Sequence, residues 1–217
     1  MTVAATTVSA QPDQPSVDTV ARRSDGPVPA PSAWWVLISG AIGLIASLTL
    51  TVEKVKLLTD SSYAPSCNIN PVLSCGSVMA TPQASVLGFP NSLIGIVAFT
   101  VVAVTGVLLV SRVQLPQWYW VGLAVGTVVG AAFVQWLIYQ SLYRIGALCP
   151  YCMVIWALTI SLLVVVASIA FHPAERSHRN AAARVLYQWR WSLAVLWFTG
   201  VGLLILTRFW NYWSTLV

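Results

Sequence analysis

Residues 149–171 read CPYCMVIWALTISLLVVVASIAF, a stretch that carries no charged side chain and begins with a Cys-x-x-Cys motif. A helix rises about 1.5 Å per residue, so roughly 20 apolar residues cross a hydrocarbon core of about 30 Å. A lone segment in lipid must satisfy its own backbone hydrogen bonds, which a helix does and a single strand does not. The stretch therefore predicts a membrane-spanning helix with two cysteines at its first turn.

Four more uncharged apolar segments accompany this one, and tryptophans gather near the segment ends, as they do at membrane interfaces. The chain is 58% hydrophobic and only 8% charged, whereas a soluble domain carries about 25% charged residues. We therefore expect an all-α integral membrane protein with one membrane domain over 33–217. The predicted spans are 33–52, 90–110, 118–143, 149–171 and 191–207.

The first 32 residues differ from the rest of the chain. They are rich in Pro, Ala, Thr and Ser and show no apolar periodicity, which is typical of disorder. No positively charged stretch precedes an apolar core there, so the pattern argues against a cleavable signal peptide. We expect residues 1–32 to form a disordered cytoplasmic tail.

The net charge of +5 does not indicate a nucleic-acid surface, because the basic residues stand singly or in small groups between apolar segments. They instead indicate topology, since cytoplasmic loops are enriched in Lys and Arg. With the N-terminus inside, the basic residues inside are Arg22, Arg23, Arg112, Arg176, Arg179, Arg184 and Arg190, and those outside are Lys54, Lys56, Arg144 and Arg208. We therefore predict a multi-pass protein of the plasma (inner) membrane whose 53–89 loop and 144–149 junction are exoplasmic.

The cysteines form two groups, Cys67 with Cys75 in the 53–89 loop and Cys149 with Cys152 at the start of the fourth segment. The predicted topology puts all four on the side where disulfides form and persist. At a helix start, Pro150 suits the first position, and unpaired backbone N–H groups stabilise a thiolate. The Cys-x-x-Cys motif therefore indicates a redox couple, with an inert disulfide or half of a zinc site as the alternative.

The loop pair, Cys67 and Cys75, lies in a segment rich in Asn, Pro, Ser and Gly, a composition that favours turns and movement. A mobile pair beside a membrane-embedded pair suggests a relay, in which a thiolate attacks a neighbouring disulfide. The mobile pair would meet a soluble partner that cannot reach the bilayer. A structural disulfide that staples the loop is the alternative.

Thiol oxidation also needs an electron acceptor. The sequence has no dinucleotide fingerprint, haem-attachment motif or phosphate loop, and no cluster near the cysteines that predicts a metal site. A lipid-soluble quinone suits a pocket among apolar helices. Trp156, one turn beyond Cys152 on the same helix face, is a candidate to stack on the quinone ring, with plain helix packing as the alternative.

These features together resemble the vitamin K epoxide reductase family in its bacterial branch. The resemblance rests on the spacing of the two loop cysteines, on Cys149-x-x-Cys152 at the start of the fourth helix, and on PNSLIG at residues 90–95. It covers roughly residues 33–171, together with a fifth helix of the kind that bacterial members have. Membrane protein B of the disulfide-bond-forming system, the other large family of quinone-coupled disulfide generators, has its Cys-x-x-Cys first and the wider pair second.

The resemblance implies a role for each of the cysteines. Cys152 corresponds to the cysteine that faces the quinone, and Cys149 to its partner, which exchanges with Cys75. Cys67 corresponds to the cysteine that meets the external substrate.

Three further residues match positions of the family. Asn91 corresponds to an asparagine that hydrogen-bonds a quinone oxygen. Thr81 occupies the position of a serine after the second loop cysteine and is a candidate catalytic residue. Trp156 stands where vertebrate members have a tyrosine, a difference that bears on epoxide reduction. The resemblance implies a four-helix bundle around a quinone of the menaquinone or ubiquinone type, with the fifth helix outside.

Many bacterial members continue after the fifth helix into a fused thioredoxin-like domain, whereas this chain ends at Val217. The resemblance therefore implies a separate thioredoxin-like extracytoplasmic partner. The expected function is a membrane thiol:quinone oxidoreductase that generates protein disulfides. Two other classes stay open, which are a membrane metal-binding protein that uses the cysteines and a structural membrane protein with stapling disulfides.

Overall fold

The computed structural model describes residues 28–60, 62–170 and 181–214, with the backbone alone for 181–187 and 213. Most of the predicted 1–32 tail lies outside the described residues, and so do residues 172–180 of the cytoplasmic loop that the topology predicts over 172–190. Within these ranges the chain is helical, and its one β-type pairing is an isolated parallel bridge between Leu73 and Leu148. This architecture confirms the predicted all-α class.

The described residues form a series of α-helices that we number in chain order. They are α1 (Ala30–Thr59), α2 (Cys75–Met79), α3 (Asn91–Val110), α4 (Gln117–Tyr139), α5 (Pro150–Ala170), α6 (Ala181–Arg208) and α7 (Trp210–Trp213). A π-helical turn, Gln140–Ile145, continues α4, and a single helical turn, Pro82–Ser85, precedes α3. Five of these helices, α1 and α3 to α6, are long and apolar enough to cross a membrane.

Two helices are longer than the apolar segments that predict them. Helix α1 runs to Thr59, beyond the predicted span that ends at residue 52, because residues 53–58 (EKVKLL) are mostly good helix formers. Helix α6 begins at Ala181, ahead of residue 191, through an alanine-rich start. The extension of α1 carries charged side chains out of the apolar span and toward the cysteine loop.

Helix α1 is central to the bundle. It packs against α3 and against α5, and α5 in turn packs against α4. The α1–α3 contact is close enough that a Cβ at Gly106 would lie 2.4 Å from the Cα of Leu37. Small residues at such contacts let transmembrane helices approach each other, and van der Waals packing then stabilises the pair.

Helix α6 lies outside this four-helix bundle, against α5. Trp197 Nε1 donates a hydrogen bond to Gln135 Oε1 at 3.0 Å, and Arg208 Nε donates to the backbone oxygen of Leu142 at 3.0 Å. Much of the remaining surface of α6 is exposed and apolar, as suits contact with lipid. Arg208 therefore ties the end of α6 to the π-helical turn that leads to the Cys-x-x-Cys motif.

Candidate redox site

The loop cysteines form a disulfide at the start of α2. The bond joins Cys67 to Cys75, and both residues are buried, with 5% and 0% of their surface exposed. The Ser74 side chain caps α2, and Asn68 Oδ1 accepts a hydrogen bond from the Gly76 N–H at 2.9 Å. The sequence predicts that this segment is mobile. In the structure, which contains the disulfide, the segment is held in place by its own polar side chains.

The other two cysteines are free thiols at the start of α5. The chain reaches them through Gly146, whose φ of 70° is a left-handed conformation that favours glycine. A hydrogen bond from the Cys152 side chain, with further bonds from the backbone N–H groups of Cys152 and Tyr151, holds the pKa of the Cys149 thiol below its ordinary value, although burial raises it. The Cys152 side chain, with the backbone N–H groups of the helix start, thus favours the thiolate of Cys149.

A short backbone pairing brings the two cysteine segments together. The Ser74 N–H donates to the backbone oxygen of Leu148 at 2.9 Å, and the Leu148 N–H donates to that of Val72 at 2.7 Å. Cys75 follows Ser74 and Cys149 follows Leu148, so the pairing sets the two cysteines side by side. Their sulfur atoms lie 3.2 Å apart. This arrangement suits exchange between a thiolate and a disulfide.

A cleft lies beside Cys152, between α1, α3, the π-helical turn and the segment that follows α2. Its walls are mostly apolar, and Cys152 is the one cysteine that lines it. Thr81 and Asn91 line the same cleft, so the structure brings together these three residues named from the sequence. The other lining residues are Leu50, Lys54, Val78, Met79, Gln83, Ala84, Pro90, Ser92, Leu137, Gln140, Ser141 and Ile145.

Asn91 has backbone partners in addition to its place in the cleft. Its Nδ2 donates to the backbone oxygen of Gln83 at 2.7 Å, and its Oδ1 accepts from the Val86 N–H at 3.1 Å. Thr81 Oγ1 likewise donates to the backbone oxygen of Val78 at 2.7 Å. An amide nitrogen carries two N–H donors. Asn91 therefore pins the segment before α3 and keeps one donor for a ligand.

Trp156 lies outside this cleft. It is 4% exposed and packs in an apolar cluster that includes Ile138, Leu142 and Leu148. This position agrees with plain helix packing. The stacking of Trp156 on a quinone stays a prediction, and the absence of Trp156 from the cleft lining argues against it. The cluster supports Leu148, and through it the position of Cys149.

Charged residues at the end of α1 join the site, a role that the sequence alone did not indicate. Glu53 is buried and accepts hydrogen bonds from Tyr63 Oη at 2.8 Å and from Ser66 Oγ at 2.9 Å, just ahead of Cys67. Lys54 lines the cleft. Both residues directly follow an apolar span, where charge is typical of a membrane edge. Only the helical extension of α1 shows that they face the cysteine loop.

The spanning helices and the cysteines define a multi-pass membrane protein with a disulfide-capable site. In agreement, the model of the vitamin K epoxide reductase family matches residues 34–167. The chain belongs to this family, as the sequence resemblance predicted, and is accordingly a membrane oxidoreductase. A search of curated proteins gave no matching sequence. The matched region holds all four cysteines.

Proposed function

We propose that the protein oxidises the thiols of a thioredoxin-like extracytoplasmic protein and passes the electrons to a membrane quinone. The observation that carries the proposal is the 3.2 Å approach of Cys149 Sγ to Cys75 Sγ, between a formed disulfide and a pair of free thiols. The family supplies the reaction class, since its members are membrane oxidoreductases associated with quinones. The net product is a disulfide in the partner protein.

The relay begins at the loop pair. A thiolate of the reduced partner attacks Cys67, the Cys67–Cys75 bond breaks, and Cys75 leaves as a thiolate. The second thiolate of the partner then displaces Cys67. The partner has gained a disulfide, and the loop pair holds the two electrons as thiolates.

The second exchange moves these electrons to the helix pair. The Cys75 thiolate attacks Cys149 in a Cys149–Cys152 disulfide and releases Cys152 as a thiolate. Cys67 next attacks Cys75, which re-forms the loop disulfide and releases Cys149. The outcome is an oxidised loop pair beside a reduced helix pair, which is the combination of bonds in this structure.

The cleft beside Cys152 has the features that a lipid-soluble quinone requires. Its walls are apolar, and the free N–H of Asn91 suits a carbonyl oxygen. When bound, a quinone of the menaquinone or ubiquinone type accepts two electrons and two protons, which leaves Cys149 and Cys152 joined. Cys152 lines the cleft, so we assign it the contact with the acceptor, and we assign orientation of the acceptor to Asn91 and Thr81.

The two other functional classes have less support. In the part of the chain that the structure describes, no group of three or more His, Cys, Asp or Glu side chains is placed to hold a metal ion. Two permanent stapling disulfides would leave the 3.2 Å approach of Cys149 Sγ to Cys75 Sγ without a function. A redox relay uses both the disulfide and the thiols.

Coupled turnover tests the proposed function. Purified protein should oxidise a reduced thioredoxin-like protein only when a quinone is present, with about one quinone consumed for each disulfide formed. The quinone absorbance and the free thiols of the partner are followed together, and a variant with every cysteine replaced by serine is the control. Thiol oxidation at the same rate without quinone would overturn the assignment of the acceptor.

Replacement of Asn91 by alanine should raise the KM for quinone by about tenfold, because one hydrogen bond to a buried group contributes roughly 1–3 kcal/mol. The measurement is initial rate against quinone concentration with saturating partner. Ser92→Ala is the matched control, since Ser92 lines the same cleft but its hydroxyl pairs with Thr51 at 2.8 Å. Quinone kinetics in Asn91→Ala that equal those of the wild type would remove Asn91 from the site.

A second measurement separates ligand binding by Asn91 from its backbone contacts. In the absence of quinone, the reduced partner should open the Cys67–Cys75 disulfide at the same rate in Asn91→Ala and in the wild type. A slower opening would show that Asn91 acts through the segment that it pins before α3.

We also propose that the cysteine loop is exoplasmic and that residues 1–32 and 172–190 are cytoplasmic, as the arginine distribution indicates. In a variant without native cysteines, an impermeant maleimide applied to intact cells should label a cysteine placed at the exposed Val86 and spare one placed at Ser177. Permeabilised cells should label both positions. Labelling at Ser177 from outside would contradict the topology, and an extracytoplasmic partner with it.

A further inference from the structure

Lys54 is the one charged side chain among the residues that line the cleft beside Cys152. It is half-buried on the extension of α1 and shares the cleft with Thr81 and Asn91. The sequence explains this lysine as interfacial charge, and the electron relay proposed above makes no use of it. A cation in an otherwise apolar cleft needs a separate explanation, because burial of a charge is costly unless something compensates it.

The contacts of Lys54 leave most of its binding capacity unused. Its Nζ donates one hydrogen bond, to the backbone oxygen of Met79 at the end of α2. No carboxylate in the described residues pairs with it, and the neighbouring Glu53 is engaged by Tyr63 and Ser66 instead. An ammonium group has three N–H donors, so two remain for a ligand.

A positive charge between apolar walls favours an anionic ligand. The attraction between opposite charges grows as the local dielectric constant falls, and a charge-assisted hydrogen bond is stronger than a neutral one. We propose that Lys54 makes the cleft an anion-recognising site, which binds quinone-type ligands through a negatively charged ring oxygen such as an ionised hydroxyl group. The proposal rests on the proposed function, because it takes the cleft to be the quinone site.

The simpler role for Lys54 is a link between α1 and the end of α2 through the Met79 carbonyl. The two roles separate by charge. Glutamine at position 54 can still donate to that carbonyl but is neutral, whereas arginine keeps both the donor and the charge. Lys56 is the matched control, because it lies on the same helix extension, is exposed, and sits over the Tyr63 ring, away from the cleft.

Binding of two closely matched ligands to quinone-free purified protein tests this proposal. Lawsone carries a hydroxyl group that is ionised at neutral pH, and menadione carries a neutral methyl group on the same ring system. Dissociation constants come from quenching of tryptophan fluorescence. We expect Lys54→Gln to raise the dissociation constant of lawsone by about tenfold or more. The dissociation constant of menadione should stay within about twofold of the wild-type value. Lys54→Arg and Lys56→Gln should bind both ligands as the wild type does.

Each other result has a definite meaning. An unchanged lawsone affinity in Lys54→Gln, or an equal loss in Lys56→Gln, would overturn the role of Lys54 while the quinone cleft stands. An equal loss of lawsone and menadione in Lys54→Gln would show that the lysine only maintains the shape of the cleft. If neither compound binds the wild-type protein, the quinone cleft itself fails and the anion site fails with it.

Discussion

Replacement of Cys152 by serine should lower quinone reduction by at least about a thousandfold with every reductant, whether a protein partner or a small dithiol. Cys152 is the one cysteine that lines the cleft, while Cys75 and Cys149 face each other behind it. Without the sulfur of Cys152, no Cys149–Cys152 disulfide forms for the Cys75 thiolate to attack, and no thiol lies beside the acceptor. The measurement is quinone absorbance at saturating reductant.

Serine at position 152 should leave the rest of the protein intact, which makes the loss interpretable. Cys152→Ser should still form the Cys67–Cys75 disulfide on non-reducing gels and still bind menadione with wild-type affinity. Cys149→Ser is the companion variant, and it should be equally inactive because the helix pair then has no partner for Cys75. Turnover in Cys152→Ser above the level of the protein without cysteines would mean that another group reduces the acceptor.

The helices and the order of the cysteines could be predicted from sequence because each depends on local information. The length of an uncharged segment decides whether it spans a bilayer, and the position of Cys149 before Pro150 marks a helix start. The extension of α1 is different. Charged residues after an apolar span suit a helix or a loop equally well, so the approach of Glu53 and Lys54 to the site needed tertiary structure.

The meeting of the two cysteine pairs depends on long-range contacts that local pattern does not encode. Cys75 reaches Cys149 because Leu148 pairs with Val72 and Ser74, residues distant in sequence. The buried state of Cys67 is also non-local. A turn-rich composition indicates a mobile loop. In the structure, however, Asn68 Oδ1 accepts hydrogen bonds from Ser74 Oγ and from the Gly76 N–H, and these bonds hold the loop in place.

The burial of Cys67 bears on how a protein partner reaches the relay. Only 5% of the residue is exposed, so attack by a folded partner requires the segment around Asn68 to open. Backbone and side-chain hydrogen bonds at a protein surface break and re-form readily, since each contributes only about 1 kcal/mol net. We therefore expect the loop disulfide to react slowly until a partner binds to the loop. This slow reaction protects the disulfide from small thiols.

Replacement of Cys67 and Cys75 by alanine, one at a time, should separate the steps of the relay. Cys67→Ala should lower oxidation of the protein partner by about a hundredfold or more, because the partner loses the sulfur that it attacks. The same variant should keep part of its activity with a small dithiol, because Cys152 is partly exposed in the cleft and the dithiol can attack the helix pair there. Cys75→Ala should instead hold a partner variant that keeps one cysteine and is supplied as a mixed disulfide with a small thiol. Cys67 attacks the sulfur of this partner, the small thiol leaves, and neither Cys75 nor a second thiolate of the partner is present to displace Cys67.

Non-reducing gels and the quinone assay together decide between a relay and a staple. We expect a mixed disulfide that appears with Cys75→Ala, is absent with Cys67→Ala and disappears on reduction. The double variant is the control for attachment of the partner through other residues. A staple predicts that both single variants lose stability equally and trap nothing. If Cys67→Ala oxidises the protein partner at the wild-type rate, the loop pair carries no electrons, and the 3.2 Å contact between Cys75 and Cys149 reflects packing alone.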